Sequence, residues 1–194
     1  MTRSIDFYFD FISPYSFLAY KKLEKLNKDH KINIEYKPIL LGGLHKLGGI
    51  TAPAFNEKKM KNMKNDCLLV ANKNNIDFQW NTNFPINTLT LMRGYLAINQ
   101  QSKKRFLDVV FNFYWKDNLD ISDMKNLVEI IKITNLSEKE FFEKIQDEEI
   151  KNKLKKYTND AFNKDIFGAP TFVVNNKIFW GQDRLEYALD ECNI

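Results

Sequence analysis

The chain carries strand-like patterns only near its two ends, and they are separated by about a hundred residues of helix-like spacing. Near the start, Ile5, Phe7 and Phe9 alternate with polar neighbours. Near the end, TFVV at 171–174 and KIFW at 177–180 indicate two further short strands. Neither end contains enough strands for a stable sheet of its own. The two ends must therefore pair with each other across the helical block.

The N-terminal pattern predicts a strand, a helix and a second strand. Ser13 and Pro14 stand at the first junction, where serine suits an N-cap and proline suits the first helical turn. Alternation at Ile32, Ile34 and Tyr36 predicts the second strand, which should run parallel to the first. The stretch LLGGLHKLGGITAP, residues 40–53, contains four glycines and a proline, and predicts a loop.

The middle of the chain has apolar residues at helical spacing, without an internal repeat. Ser137 and Glu140 form a capping-box pattern. Asn175-Asn176 is a two-residue hairpin turn, because asparagine tolerates positive φ. Asp183 is expected to cap a last helix, with Glu186 three residues on. The predicted helical stripes are Met60–Ala71, Leu89–Leu96, Phe106–Tyr114, Met124–Ile131 and Ile150–Ala161.

This order of elements predicts an α/β protein with a thioredoxin-like fold and an inserted all-helical domain. The thioredoxin-like domain is assigned to residues 1–51 and 166–194, and the helical insertion to residues 52–165. The composition, 44% hydrophobic and 14% aromatic, supplies enough apolar side chains for a substantial core.

The net charge and the positions of the cysteines narrow the range of possible partners and cellular locations. The net charge is +4 and no dense basic patch occurs, so we expect no nucleic-acid partner, whereas a small anionic ligand stays open. Cys67 and Cys192 lie far apart, which favours a reducing compartment, and we predict a cytoplasmic location. No apolar run reaches the length of a membrane-spanning helix, and MTRSIDFYFD is interpreted as the first strand rather than a signal peptide.

Ser13 has two interpretations. It is an ordinary helix start, or it is a hydroxyl placed where free N–H groups and the helix dipole attract an anion. A serine nucleophile needs a nearby base, and the two histidines, His30 and His45, offer no good case for one. No metal site is predicted.

Two further stretches have structural and functional interpretations. Pro170, in IFGAPTFVV, is either a plain strand start or a cis proline that turns a backbone edge toward a ligand. In FWGQDRLEYALD, Asp183 and Arg184 are either a helix cap and a surface cation or a pair that grips the amino-acid-like end of a ligand.

Six stretches taken together resemble the 2-hydroxychromene-2-carboxylate isomerases and the related kappa-class glutathione transferases. The stretches are SPYS, LLGGLHKLGG, FPINTLTLMR, YWKDNLDISD, GAPTFVV and FWGQDRL, in that order along nearly the whole chain. The resemblance implies a thioredoxin core with a helical insertion and reduced glutathione as cofactor. It also implies a small aromatic or conjugated substrate and a homodimer.

The resemblance also assigns roles to individual residues. Ser13 falls at the catalytic serine and Pro170 at the cis proline, so that Ala169 should offer its backbone to the cysteinyl part of glutathione. Gln182 and Asp183 fall where the γ-glutamyl end is held, and Arg184 completes that motif.

The chain departs from the family pattern at three positions near the substrate side. Ile50 stands where an asparagine is usual, Asn62 replaces an aromatic residue, and Leu69 replaces an arginine. Six aromatic residues are candidates for a substrate pocket or for the core: Phe78, Trp80, Phe84, Tyr114, Trp115 and Trp180.

The resemblance therefore predicts a glutathione-dependent isomerase of the 2-hydroxychromene-2-carboxylate isomerase type. A kappa-like glutathione transferase and a non-catalytic glutathione-binding dimer are the alternatives. A thiol-disulfide oxidoreductase is disfavoured, because the chain has no C-x-x-C motif.

Overall fold

The strands from the two ends of the chain form one mixed sheet. The computed structural model describes residues 4–29 and 33–192, and Ile32 lies outside them. The sheet has the order β2-β1-β3-β4, with β1 parallel to β2 and the β1–β3 and β3–β4 pairs antiparallel. The strands are β1 Ser4–Phe9, β2 Asn33–Pro38, β3 Thr171–Val174 and β4 Lys177–Trp180. The predicted α/β, thioredoxin-like class is confirmed.

Helices occupy the positions that the apolar stripes predicted. One further helix, Leu41–Leu47, lies in the stretch that was predicted as a loop. The capping box opens its helix as expected: the Glu140 N–H donates to Ser137 Oγ at 3.2 Å, and the Ser137 N–H donates to Glu140 Oε2 at 2.8 Å. The helices are α1 Pro14–Asp29, α2 Leu41–Leu47, α3 Glu57–Lys73, α4 Leu89–Ala97, α5 Gln100–Trp115, α6 Met124–Lys132, α7 Glu138–Gln146, α8 Glu148–Asn163 and α9 Leu185–Cys192.

The prediction of a loop at residues 40–53 is wrong over its first half, which forms α2. Glycine disfavours a helix by about 1 kcal/mol per residue. Contacts with distant residues offset that cost. Leu44 is buried, the Leu40 N–H donates to Thr158 Oγ1 at 3.0 Å, and the Leu41 N–H donates to Asp10 Oδ2 at 2.8 Å.

The prediction that Asp183 caps the last helix is also wrong. Asp183 lies inside a 3₁₀ turn, Gln182–Arg184, and the residue before that turn is Gly181. No side chain caps the turn, and α9 continues directly from it at Leu185. Gly181 has φ +112° and ψ 151°, a backbone direction that begins the turn two residues earlier than a capping aspartate would.

The second half of β1, residues 7–9, is buried on both faces and lies at the centre of the molecule. Phe7 and Phe9 stack with ring centroids 5.8 Å apart and belong to the main core. On the opposite face, Tyr8 packs in a second cluster with Leu44 of α2 and Ala161 of α8. Within the described ranges, 4–29 and 33–192, no helix is both long enough and apolar enough to cross a membrane.

The main core extends from the sheet into the helical block. Phe9 of β1 and Phe111 of α5 lie 6.0 Å apart between ring centroids, and both belong to one cluster of buried residues. The division at residues 52 and 165 stays a prediction. Because one shared core crosses this boundary, the two predicted domains do not have separate hydrophobic cores.

Asp10 joins three elements just beyond the end of β1. Its side chain is 1% exposed. Oδ1 accepts the Thr88 hydroxyl at 2.7 Å and the Ile12 N–H at 3.1 Å, while Oδ2 accepts the Leu41 N–H at 2.8 Å. Burial raises the pKa of Asp10, and the hydrogen bond from Thr88 acts in the opposite direction. Every one of these neighbours donates, so the site matches a carboxylate.

We therefore predict that Asp10→Asn destabilises the protein although the side-chain size hardly changes. An amide has one acceptor atom, so one backbone N–H, from Ile12 or Leu41, loses its partner in a buried site. The free energy of unfolding should fall by about 1–3 kcal/mol, measured by urea denaturation. Asp77→Asn is the matched control, because the Asp77 side chain is 81% exposed, and it should leave stability within about 0.5 kcal/mol. Equal effects of the two substitutions would contradict this role for Asp10.

Candidate functional site

Ser13 lies in the turn between β1 and α1 and makes four hydrogen bonds, of which its carbonyl oxygen accepts one from the Phe17 N–H at 3.2 Å. Its N–H donates to the Asp10 carbonyl oxygen at 3.1 Å, and its Oγ accepts the Ser16 N–H at 3.1 Å, as an N-cap does. The Ser13 hydroxyl donates to the Ala169 carbonyl oxygen at 2.9 Å. Ser13 is 4% exposed. One hydroxyl thus begins α1 and also joins it to the segment before β3.

The segment before β3 is shaped by a close approach of Trp180. The Ala169–Pro170 bond is cis, as is Phe84–Pro85. A Cβ on Gly168 would lie 2.5 Å from Trp180 Nε1, so any larger residue would displace the indole. The Thr171 hydroxyl donates to the Gly168 carbonyl oxygen at 2.8 Å and holds the segment from the other side.

Gly181 connects this segment to the residues assigned to the γ-glutamyl end. The Gly181 N–H donates to the Pro170 carbonyl oxygen at 3.0 Å. The next residue, Gln182, is 8% exposed, and its Oε1 accepts a hydrogen bond from Lys22 Nζ at 2.5 Å. Ser13, Ala169, Pro170 and Gln182 are therefore linked through the backbone and two side-chain contacts.

Asp183 and Arg184 face outward beside this chain of contacts. They form an ion pair at 3.1 Å with both side chains more than half exposed. The Arg184 guanidinium also lies 5.4 Å from the centre of the Tyr187 ring. An exposed pair of this kind contributes little to stability, so both charges stay available to a ligand.

Lys22 was missed by sequence reasoning. It is one lysine among many on a helix, and no spacing in the sequence relates it to Gln182. Its partner lies 160 residues away in the chain, so the signal exists only in the folded molecule.

A pocket of about 420 Å³ opens beside the first turn of α1. Asn62, one of the departures from the family pattern, contributes to its wall, whereas Leu69 is 69% exposed and Ile50 is 38% exposed. Burial raises the pKa of the Tyr15 hydroxyl, and the neighbouring Asp66 raises it further, so Tyr15 is held as a neutral hydrogen-bond donor. The lining residues are Tyr15, Pro53, Lys58, Lys59, Asn62 and Met63.

Most of the aromatic candidates belong to the core. The Phe78 and Trp115 rings stack with centroids 5.8 Å apart. The Trp80 and Phe84 ring centroids lie 5.8 Å and 5.6 Å from that of Trp115, and 4.9 Å from each other. Trp180 differs: it is 53% exposed and packs on Phe167 at 4.7 Å.

His45 lies in the last turn of α2, where burial lowers its pKa, and His30 lies outside the described residues.

Comparison with known proteins decides the family. The model of the DSBA-like thioredoxin domain matches residues 4–192. The chain belongs to this family. It is 30% identical over 189 residues to a 2-hydroxychromene-2-carboxylate isomerase from Sphingobium xenophagum, with 96% of each chain covered. It is 25% identical to the human protein named glutathione S-transferase kappa 1, covering 96% of this chain and 89% of that one.

A solved structure supports the same fold. The structure of a 2-hydroxychromene-2-carboxylate isomerase superposes with a TM-score of 0.88 at 23% identity, covering 97% of this chain and 94% of that chain. The resemblance noted from the sequence motifs is thereby confirmed. Within the DSBA-like family, the curated relatives are named isomerases and glutathione transferases.

The backbone at Gly181 generates a prediction for this site. Gly181→Ala should lower the free energy of unfolding by about 1–3 kcal/mol, because φ +112° with ψ 151° is a conformation that only glycine adopts readily. The new Cβ would also lie 2.5 Å from Asp183 Oδ1 and displace that carboxylate. Thermal or urea unfolding measures the effect.

Gly42→Ala is the matched control for Gly181→Ala. Gly42 is in the first turn of α2, with nothing within 4 Å of an added Cβ, so alanine should leave stability unchanged or raise it by up to about 1 kcal/mol. A Gly181→Ala protein as stable as Gly42→Ala would show that the backbone at 181 is not restrictive.

Proposed function

We propose that this protein is a glutathione-dependent isomerase of the 2-hydroxychromene-2-carboxylate isomerase type. The observation that carries the proposal is the Ser13 hydroxyl at the start of α1, bonded at 2.9 Å to the Ala169 carbonyl oxygen beside Pro170. The relatives named isomerases extend over nearly the whole chain, which supports the same reaction type here.

The residues present fit reduced glutathione. The Ala169 backbone would pair with the cysteinyl part, and the ligand's sulfur would then lie near Ser13, which is hydrogen-bonded to Ala169 at the N-terminal end of α1. The γ-glutamyl end carries one ammonium and one carboxylate. Asp183 offers a charge for the former, and the Gln182 amide offers a donor for the latter. Relatives named glutathione transferases support this choice of cofactor.

When bound, glutathione supplies a thiolate that adds reversibly to a conjugated aromatic acid, allows rotation about the former double bond, and leaves again unchanged. A free thiol with a pKa of about 8.5 is only about 3% thiolate at pH 7. Lowering that pKa by about 2 units requires about 2.7 kcal/mol and makes about three-quarters of it thiolate.

The Ser13 hydroxyl is the larger expected source of this stabilisation. A helix N-terminus contributes about 0.3–1 kcal/mol, whereas a hydrogen bond to a charged group contributes about 1.5–3 kcal/mol. Ser13 Oγ has one proton, which it donates to Ala169 O in this structure. For the hydroxyl to stabilise a bound thiolate, its proton would have to turn from the Ala169 carbonyl oxygen toward the sulfur. Ser13 can accept the Ser16 N–H throughout, so α1 keeps its cap.

The pocket beside Tyr15 is the proposed place for the acid. Lys58 and Lys59 supply positive charge at its wall. These groups would attract an anionic substrate and orient it. Orientation of the substrate must provide most of the rate enhancement, because a higher thiolate fraction increases the rate at most about 25-fold.

A kappa-like glutathione transferase is the second candidate, favoured by the relatives that carry that name. A non-catalytic glutathione-binding dimer is the third. We also propose that the chain forms the homodimer and has the cytoplasmic location expected from its sequence. A disulfide exchange role is disfavoured, since the family's redox position holds Ser13 and Ser16.

Product analysis separates the three candidates. The protein is incubated with glutathione and a panel of conjugated aromatic acids. The double-bond geometry of each acid, the glutathione adducts formed and the total free glutathione are then measured. An isomerase changes the geometry of the acid and leaves total glutathione constant. A transferase consumes glutathione mole for mole. Glutathione binding by calorimetry with no change in any acid or electrophile would leave only the binding protein.

Ser13→Ala should raise the pKa of the bound glutathione thiol. Without the hydroxyl the thiolate loses its main donor, so activity should fall more at neutral pH than at alkaline pH. Glutathione affinity should fall less, because the contacts at Gln182 and Asp183 remain. The measurement is the ultraviolet absorbance of the thiolate in the complex against pH, beside the pH profile of turnover.

Ser137→Ala is the control for the loss of a helix cap. Ser137 caps α7 with the same side-chain-to-backbone bond, so its removal should cost about 1 kcal/mol of stability and leave the thiolate titration unshifted. If Ser13→Ala behaves in the same way, Ser13 is only a cap and the catalytic assignment falls.

A further inference from the structure

The side chain of Lys22 reaches from the middle of α1 to the 3₁₀ turn Gln182–Arg184. Its Nζ donates to Gln182 Oε1 at 2.5 Å, and both side chains are at least partly buried. Lys22 lies nine residues after Ser13 on the same helix, which is about 14 Å along the axis. Its side chain leans back toward Ser13, as helical side chains do. The separation suits an extended tripeptide, which spans about 10 Å.

This contact determines which way the Gln182 amide faces. A lysine ammonium can only donate, so the amide oxygen must face Lys22. The Gln182 Nε2 group, with its two N–H donors, therefore faces away from Lys22. A carboxylate is the ligand group that such an arrangement of donors recognises.

Lys22 also brings a charge that no nearby acid neutralises directly. Among the described residues no carboxylate lies within 4.0 Å of its Nζ, whereas Arg184 is paired with Asp183 at 3.1 Å. Burial lowers the pKa of Lys22, while Glu186 and Asp183, on neighbouring elements, act in the opposite direction. Lys22 is thus a partly shielded cation with two ammonium protons left to donate.

We propose that Lys22 is a positioning residue for the γ-glutamyl carboxylate of glutathione. It holds the Gln182 amide with Nε2 toward the ligand and adds positive charge at the same point. Asp183, on the same turn, serves the ligand's ammonium. This inference rests on the proposed function, since it names how that function's cofactor is recognised at its far end.

The test compares two thiols that differ only at this end. Glutathione and cysteinylglycine are titrated by calorimetry into the wild type and Lys22→Met. The substitution should weaken glutathione binding about tenfold or more and leave the weaker binding of cysteinylglycine unchanged. Lys22→Arg keeps the charge and the donors and should retain most of the affinity. A general loss of structure would weaken both ligands alike.

Lys21→Met is the matched control. Lys21 is the adjacent lysine but pairs with Glu24 at 2.8 Å, and its removal should change neither titration. A double-mutant cycle with Gln182→Leu gives a second readout: the effects should be far from additive if Lys22 acts through the amide. Lys22→Gln serves if Lys22→Met does not fold, with the same selective loss expected.

The outcomes separate this inference from the function on which it rests. Wild-type protein that gives no heat with millimolar glutathione overturns both. Wild-type binding that Lys22→Met leaves intact, or an equal loss for both thiols in a folded variant, overturns the role of Lys22 alone. Additive effects of Lys22→Met and Gln182→Leu also overturn it.

Discussion

The buried carboxylate of Asp10 is the interaction on which the rest of the site depends. It lies just beyond the central strand and holds three donors, from Ile12, Leu41 and Thr88. Through them it ties the turn after β1 to the starts of α2 and α4. The Asp10 carbonyl oxygen also accepts the Ser13 N–H. The same residue therefore positions the helix on which the proposed chemistry takes place.

Ser13 combines two roles that usually fall to different groups. Its oxygen accepts the Ser16 N–H and its proton goes to Ala169 O. In this structure the Ser13 hydroxyl and the Ala169 carbonyl oxygen are hydrogen-bonded to each other. These are two of the groups that would contact glutathione in the proposed function. Because both partners are nearly buried, neither is left without a hydrogen bond. Under the proposed function, glutathione binding would exchange one set of hydrogen bonds for another.

The chain has the fold of the DSBA-like family, and its Ser-Pro-Tyr-Ser turn at the start of α1 carries no sulfur atom. Ser13 and Ser16 occupy the two ends of the Ser-Pro-Tyr-Ser turn. Cys67 does not replace them, because it is buried and burial raises the pKa of its thiol. In the proposed function the reactive sulfur comes from a small molecule instead. That proposal requires a recognition surface for the small molecule, and it assigns this role to the turn at Gln182–Arg184.

Local chemistry let the sequence determine most elements of the fold. Alternation placed β1. The Asn175-Asn176 turn has the positive φ values, 49° and 63°, that its residues allow, and the Ser137–Glu140 capping box opens α7. The family resemblance also assigned separate roles to Ser13 and Ala169, which the fold brings to 2.9 Å from each other. These features depend on neighbours in the chain or on a recognisable motif.

The tertiary structure alone decided α2, the position of Asp183 and the contact of Lys22. Glycine-rich α2 is helical because Leu44 is buried and Asp10 accepts the Leu41 N–H, 31 residues away. Asp183 lies inside its turn because of the backbone direction at Gly181, whose N–H donates to the Pro170 carbonyl oxygen at 3.0 Å across the β3–β4 hairpin. Lys22 meets Gln182 across 160 residues. Each of these features results from contacts between residues that are distant in the chain. Local preferences of about 1 kcal/mol per residue do not outweigh such contacts, and the sequence pattern does not reveal them.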